Sequence, residues 1–185
     1  MGITGTKSSN SVQGLRNYFI NTTTITEVEV MDSQYTDMSL RLSLKDKDND
    51  YSYTCFVNQN FEKDLGGVVS GLKYPDDLNT LFLATDCDLN VSDTGILDTK
   101  SLESLVGKDV SCITYKSNGK YKRNTWGVVS HPDNTQQLES RFKQQLSKGY
   151  PKDFAKEIDG LSERQQQIVT DTLTSRDAGH EKVPF

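Results

Sequence analysis

The sequence predicts a mainly β protein: a small Greek-key barrel with short helices and a helical C-terminal extension. Three observations carry that expectation. Met38 to Lys45 alternates strictly, with Met38, Leu40, Leu42 and Leu44 on one face and Ser39, Arg41, Ser43 and Lys45 on the other, the period of a half-buried strand. Asn118-Gly119 separates two runs rich in β-branched and aromatic residues, a strong hairpin signal because a type I′ turn needs positive φ at both central positions. Beyond Ser130 the pattern changes: Leu138, Phe142 and Leu146 recur every four residues, the thin apolar stripe of a short helix.

Residues 1–21 are rich in Gly, Ser and Asn and read as a flexible N-terminal arm ending in the apolar knot Tyr18-Phe19-Ile20. The barrel is expected over 22–130. Thr22 to Asp32, Met38 to Lys45 and Tyr51 to Val57 read as an antiparallel meander of three strands. Asp46, Asp48 and Asp50 copy the first ligands of a calcium loop, but Tyr51 stands where its sharp turn needs Gly and Val57 where it needs a bidentate Glu. That turn reads as a solvated hairpin tip.

Phe61 to Leu72, with Gly66, Gly67 and Gly71, reads as a loop with little regular structure. Pro75 opens a short helix reaching Ala84, with Asp76 or Asp77 serving the free amides at its start. Residues 86–98 are acidic and irregular, and Thr99 to Leu105 forms a second short helix stopped by Gly107. The hairpin follows, its arms Lys108 to Tyr115 and Lys120 to Ser130. A two-residue turn pairs Ser117 with Lys120, Tyr115 with Lys122 and Ile113 with Asn124.

Residues 131–173 form the helical extension. Pro151 starts another short helix with Phe154 and Ile158, and Ser162 with Gln165 makes a capping box ahead of Ile168, Val169 and Leu173. Stripes this narrow do not build an independent bundle, so these helices pack on the barrel or on a second copy in a homodimer. Residues 174–185 read as a disordered tail.

At 185 residues the chain is long enough for one cored domain with an appendage, or for two small domains. A hydrophobic share of 34% implies a modest core with much polar surface. No apolar run approaches the length of a membrane span and no basic-plus-apolar leader opens the chain, so a soluble, unsecreted protein is expected. Cys55, Cys87 and Cys112 lie far apart without metal-like spacing, which suggests reduced thiols, with Cys55 and Cys112 buried in strands. With two histidines only, no zinc site, no Cys-His catalytic pair and no cofactor is expected.

The net charge of −5 is uneven: 27–99 is strongly acidic and 100–126 has a basic surplus. The hairpin region carries Lys108, Lys116, Lys120, Lys122 and Arg123, with Tyr115, Tyr121 and Trp126 among them. Cations interleaved with aromatic rings suit single-stranded nucleic acid, charge following the phosphates and ring faces meeting the bases. A solvated hairpin whose aromatics belong to the core fits the same residues. Tyr115 and Trp126 share one face of the proposed hairpin and Tyr121 projects from the other, so these rings do not all line one groove.

Three strands, a helical connection and a hairpin, spread over roughly a hundred residues, match the partly open Greek-key barrel called the OB-fold, with Thr99 to Leu105 as its helix and 58–98 as an insertion before it. The chain resembles the single-stranded DNA-binding proteins of bacteriophages in GLKYPDDLNTLF at 71–82, in LVGKDVSCITYKSNGKYKRNTWGVV at 105–129 and in the closing Val183-Pro184-Phe185. The resemblance implies a non-enzymatic protein of DNA replication, recombination or repair in the cytoplasm of an infected bacterial host. Lys108, Lys116, Lys120, Lys122 and Arg123 would neutralise phosphates, and Tyr121, Trp126, Tyr53, Phe56 and Tyr115 are the stacking candidates. Val183, Pro184 and Phe185 resemble the Ile-Pro-Phe tip by which bacterial relatives recruit replication and repair partners. Here, however, the tip lacks the dense acidic run that precedes it in those proteins, and Lys182 stands beside it.

Two rival readings stand beside this one. Pro75-Asp76 followed by Asp98-Thr99-Lys100 resembles a metal-dependent nuclease motif, with Asp76 and Asp98 holding magnesium and Lys100 steadying the attacking water. A protein-recruiting structural module is the other, with the basic hairpin as solubilising surface.

Overall fold

The computed structural model describes residues 18–48, 51–116, 123–147 and 160–181. For Tyr115, Lys116, residues 123–128, Leu173 and residues 176–181 it describes the backbone alone. Seven strands and four helices occupy these segments: β1 (Phe19–Met31), β2 (Met38–Asp46), β3 (Ser52–Gln59), β4 (Phe61–Lys63), β5 (Val69–Leu72), α1 (Asp77–Ala84), α2 (Thr99–Leu105), β6 (Asp109–Lys116), β7 (Arg123–Ser130), α3 (Gln136–Ser147) and α4 (Glu163–Glu181).

Five strands make one curled, barrel-like sheet in the order β1-β2-β3-β7-β6, with β6 pairing back onto β1. All neighbours are antiparallel except β3 and β7, which meet in parallel at Thr54 and Asn124. Alternation decides what points inward. Leu40, Leu42 and Leu44 of β2, Tyr53, Cys55 and Val57 of β3, and Val110 and Cys112 of β6 fill the interior. Burial, reinforced by the neighbouring Cys55, pushes the Cys112 thiol well above its ordinary range. Both Cys55 and Cys112 are buried inside the barrel, as expected for thiols within strands.

The stretch after β3 is built into this core rather than looped out of it. Phe61, Leu78, Leu81, Phe82, Leu97 and Leu105 all bury in the same cluster. Phe61 to Leu72, expected to be irregular, is a small β4–β5 ribbon. The Asp64 carboxylate turns it by accepting the amides of Gly66 at 2.9 Å and Val68 at 3.0 Å, an Asx-type turn that a glycine count does not reveal. The expected cap of α1 also differs: neither Asp76 nor Asp77 serves its amides. The buried Gln59 does, its Oε1 accepting the Leu78 amide at 3.0 Å while its Nε2 donates to the carbonyls of Asn60 at 2.7 Å and Lys73 at 2.8 Å.

The helices α3 and α4 pack on the barrel, over the outer face of β1 and β6. A second apolar cluster joins Ile113 of β6 to Leu138, Phe142 and Leu146 of α3 and to Ile168 and Val169 of α4, with Tyr18, Phe19 and Ile20 against it. The knot assigned to a flexible arm therefore starts the barrel, and Phe19 to Asn21 belong to β1. Ser162 Oγ accepts the Gln165 amide at 3.2 Å, the expected half of the capping box. The Gln165 Oε1 accepts the Ser162 hydroxyl at 3.4 Å and also the Ile20 amide at 3.0 Å, while its Nε2 donates to the Tyr18 carbonyl at 2.8 Å. Pairing of β1 with β2 begins only at Thr23, so this one carboxamide satisfies the edge that β2 leaves open. The α4 helix runs on to Glu181, so 174–181 are helical where the sequence predicts a disordered tail; an established helix propagates at low cost through residues with no apolar stripe. The Pro151 segment lies outside the described residues. Among the described residues no helix is long and apolar enough to cross a membrane.

Candidate nucleic-acid interface

The hairpin forms, but not in the expected register. Tyr115 faces Asn124 and Lys116 faces Arg123, two residues further along β7 than a two-residue Asn-Gly turn dictates. The register slips again between Cys112–Val129 and Thr114–Thr125, so Trp126 and Gly127 fall in a bulged stretch of β7. Glycine favours such a bulge, and a bulge moves every pair beyond it. Lys120, Tyr121 and Lys122 lie outside the described residues, as do Val183, Pro184 and Phe185; Tyr115, Lys116, Arg123 and Trp126 are described by backbone alone.

Lys108 stands apart from Lys116 at the opposite end of β6. It is exposed at the α2–β6 junction, its carbonyl accepting the Ile25 amide at 2.8 Å, and eight residues of strand put it about 26 Å from Lys116. Its neighbourhood is already neutralised. Asp109 accepts Lys47 Nζ at 2.6 Å and Thr24 Oγ1 at 2.7 Å, and the Lys47 hydrogen bond holds its carboxyl below the usual range.

Tyr53 is a correction. It is 5% exposed and lies in the barrel core, its hydroxyl 3.4 Å from Asn21 Nδ2. Alternation along β3 sends Tyr53, Cys55 and Val57 inward, so Tyr53 offers no ring face to a ligand. The same alternation turns Phe56 out, 48% exposed.

Phe56 sits on the outer face of β2 and β3, directly opposite Arg41, with Ser43 opposite Thr54 and Ser39 opposite Asn58. Cross-strand partners share a face, so the ring and the guanidinium are neighbours. Arg41 is ion-paired with Glu29 of β1, both side chains remaining substantially exposed. Glu27 lies opposite Ser43 on that face as well, which is therefore mixed in charge.

Two loops are tied to the end of β3. Asn60 Oδ1 accepts the Asp37 amide at 3.0 Å, and its carbonyl accepts the Lys73 amide at 2.9 Å. Asp37 accepts the Phe61 amide at 2.9 Å and Lys63 Nζ at 3.1 Å; that amide, then the lysine, holds its carboxyl below the usual range. These bonds bring the Tyr35 loop and the Tyr74 loop to one end of β3, and both tyrosines are almost fully exposed. Sequence reasoning missed Arg41, Tyr35, Tyr74 and Lys73. Only the exposure-prone setting of each tyrosine, in SQYTD and before Pro75, hinted at it; their convergence on Asn60 is a long-range fact. Among the described residues, α3 and α4 lie on the other side of the barrel and leave this face open.

Asp76 and Asp98 precede two separate helices, α1 and α2, and Lys100 lies in the first turn of α2. Among the described residues no group of three His, Cys, Asp or Glu is close enough to hold a metal ion. No protein-family model matches the chain, and no curated protein matches it in sequence.

Proposed function

We propose that the chain is a single-stranded DNA-binding protein with an OB-fold, of the kind bacteriophages use in replication and recombination inside the bacterial host. One observation carries this: an outer face on β2 and β3 that sets a half-exposed Phe56 beside Arg41, with the loops that hold the exposed Tyr35 and Tyr74 tied to Asn60 at the end of β3. Rings provide stacking platforms for any base, worth about 1–3 kcal/mol each, and Arg41, Lys45 and Lys73 follow the phosphates together with the cations of the hairpin. The strand order β1-β2-β3-β7-β6 with a parallel β3–β7 contact supports the OB-fold part of the reading. Single-stranded DNA is the ligand, and the Val183-Pro184-Phe185 tip is the hook for replication or recombination proteins. No covalent chemistry is required.

The test is a fluorescence titration of labelled oligothymidine against the full chain. Binding is expected to weaken steeply with salt, and Lys120, Lys122 and Arg123 changed together to alanine are expected to flatten the slope of log K against log salt by about 2, three phosphates at about 0.7 each. Absence of salt-sensitive binding at low ionic strength removes the reading.

A further inference from the structure

One stretch of the barrel sheet is paired on one side only. Phe19 to Thr24 of β1 pair with β6, while Thr23 to Met31 pair with β2. On the β6 side the last contacts are the Ile25 amide on the Lys108 carbonyl at 2.8 Å and the Gly107 amide on the Ile25 carbonyl at 2.7 Å. The register then slips between Ile25 and Glu27, and such a bulge bends a strand. Among the described residues, the edge of Thr26 to Met31 that faces away from β2 has no backbone partner. Thr26, Glu27, Glu29 and Val30 are exposed along it. A row of unpaired amides and carbonyls at strand spacing is a template for one more strand, and it calls for a peptide backbone rather than a nucleic acid.

The two faces of this edge define what the added strand carries. Val28 and Val30 lie opposite Leu42 and Leu40, both fully buried, yet Val30 is 54% exposed. The inner face therefore runs out of cover at β1 itself. Glu27 and Glu29 alternate with the valines and lie opposite Ser43 and Arg41 on the outer face. Cross-strand neighbours share a face, so an incoming strand needs apolar side chains beside Val28 and Val30 and cationic ones beside Glu27 and Glu29. On the other side of β1, β2 already shows this pattern, with Leu40 and Leu42 against the valines and Arg41 ion-paired to Glu29.

We propose that this edge takes an extended segment of a partner protein in which apolar and basic residues alternate, bound by strand addition. A second copy of this chain does not meet the requirement. When two such edges pair antiparallel with like faces matched and these residues overlap, Glu27 and Glu29 meet the glutamates of the other copy, and like charges directly opposite are destabilising. The proposal does not depend on the DNA-binding reading.

The probe is a capped peptide, SLRLKL, which copies Ser39 to Leu44 of β2 with lysine in the place of Ser43. Its control, SLELEL, carries glutamate at both basic positions. Each is titrated into the ¹⁵N-labelled full chain. SLRLKL is expected to shift the amides of Thr26 to Met31 and to slow hydrogen exchange at alternate residues there, and SLELEL to leave them unmoved. Glu27→Lys is expected to raise the Kd for SLRLKL about 2- to 30-fold, one opposite-charge pair being lost and a like-charge pair put in its place. Val30→Ser, at an exposed position, is a second variant expected to weaken binding with little change in Tm. Silence of these amides toward SLRLKL, an equal response to both peptides, or a Kd indifferent to both substitutions overturns the proposal. So do shifts at Val57 to Gln59 of β3, which would mean that the peptide displaces β2. Amide shifts at Thr26 to Met31 on diluting the chain without peptide would make the occupant a second copy, and overturn it likewise.

Discussion

Phe56 and Tyr53, three residues apart on β3, separate binding from folding. A fully buried phenylalanine is worth about 1.5–3 kcal/mol of hydrophobic stabilisation, and Phe56 keeps 48% of its surface in water. Phe56→Ala should therefore cost the fold about 1 kcal/mol, a drop of about 2–4 °C in Tm for a chain of this size. If Phe56 stacks on a base, the same change removes about 1–3 kcal/mol of binding, which raises Kd about 5- to 150-fold. Tyr53→Ala is the opposite case. Truncating an aromatic ring in the core costs about 3–5 kcal/mol, a large part of a typical stability of about 5–15 kcal/mol. Tyr53→Phe keeps the ring in the core while removing the hydroxyl that meets Asn21 Nδ2 at 3.4 Å, and is expected to lower Tm far less than Tyr53→Ala. The assays are anisotropy titration with labelled oligothymidine at two salt concentrations and thermal unfolding of each variant. A folded Phe56→Ala protein that binds with unchanged Kd refutes the stacking role.

Glu29→Gln releases Arg41 from its ion pair, so tighter oligothymidine binding and a salt slope steeper by about 0.7 are expected, as for one additional phosphate contact; a titration series in salt reads both. Asp37 is acidified in the folded state, so its contribution is complete above the ordinary value of 3.8 and is lost as pH falls through the lower folded value. Asp37→Asn is accordingly expected to lower Tm at pH 7, with the gap to wild type closing below about pH 3.8 in a thermal-melt series. Gln165→Ala leaves the Ile20 amide and the Tyr18 carbonyl without their partner, at about 1–3 kcal/mol for each group that stays buried, and hydrogen exchange at Ile20 should accelerate.

The alternation of β2 was legible because its two faces differ chemically at every position. In β3 aromatic residues fall on both faces, so the strand was readable while the roles of Tyr53 and Phe56 waited on closure of the barrel. The hairpin was found from Asn118-Gly119, yet its register was not, since the bulge around Trp126 and Gly127 has no local signature strong enough to count residues by. The β4–β5 ribbon escaped because strands this short carry too few residues to show a period, and its turn is made by a carboxylate. Tyr35 and Tyr74 were invisible as a pair for a different reason. Contacts at the end of β3, those of Asn60 among them, join segments that the sequence keeps almost forty residues apart.

Gln59 has a mechanical consequence. Both ends of its carboxamide are committed, so the tip of β3, the Lys73 carbonyl and the first turn of α1 are clamped as one rigid piece. On the proposed function, a single strand arriving at Phe56 would meet a rail whose shape is already set, and the entropy of ordering would fall on the flexible visitor.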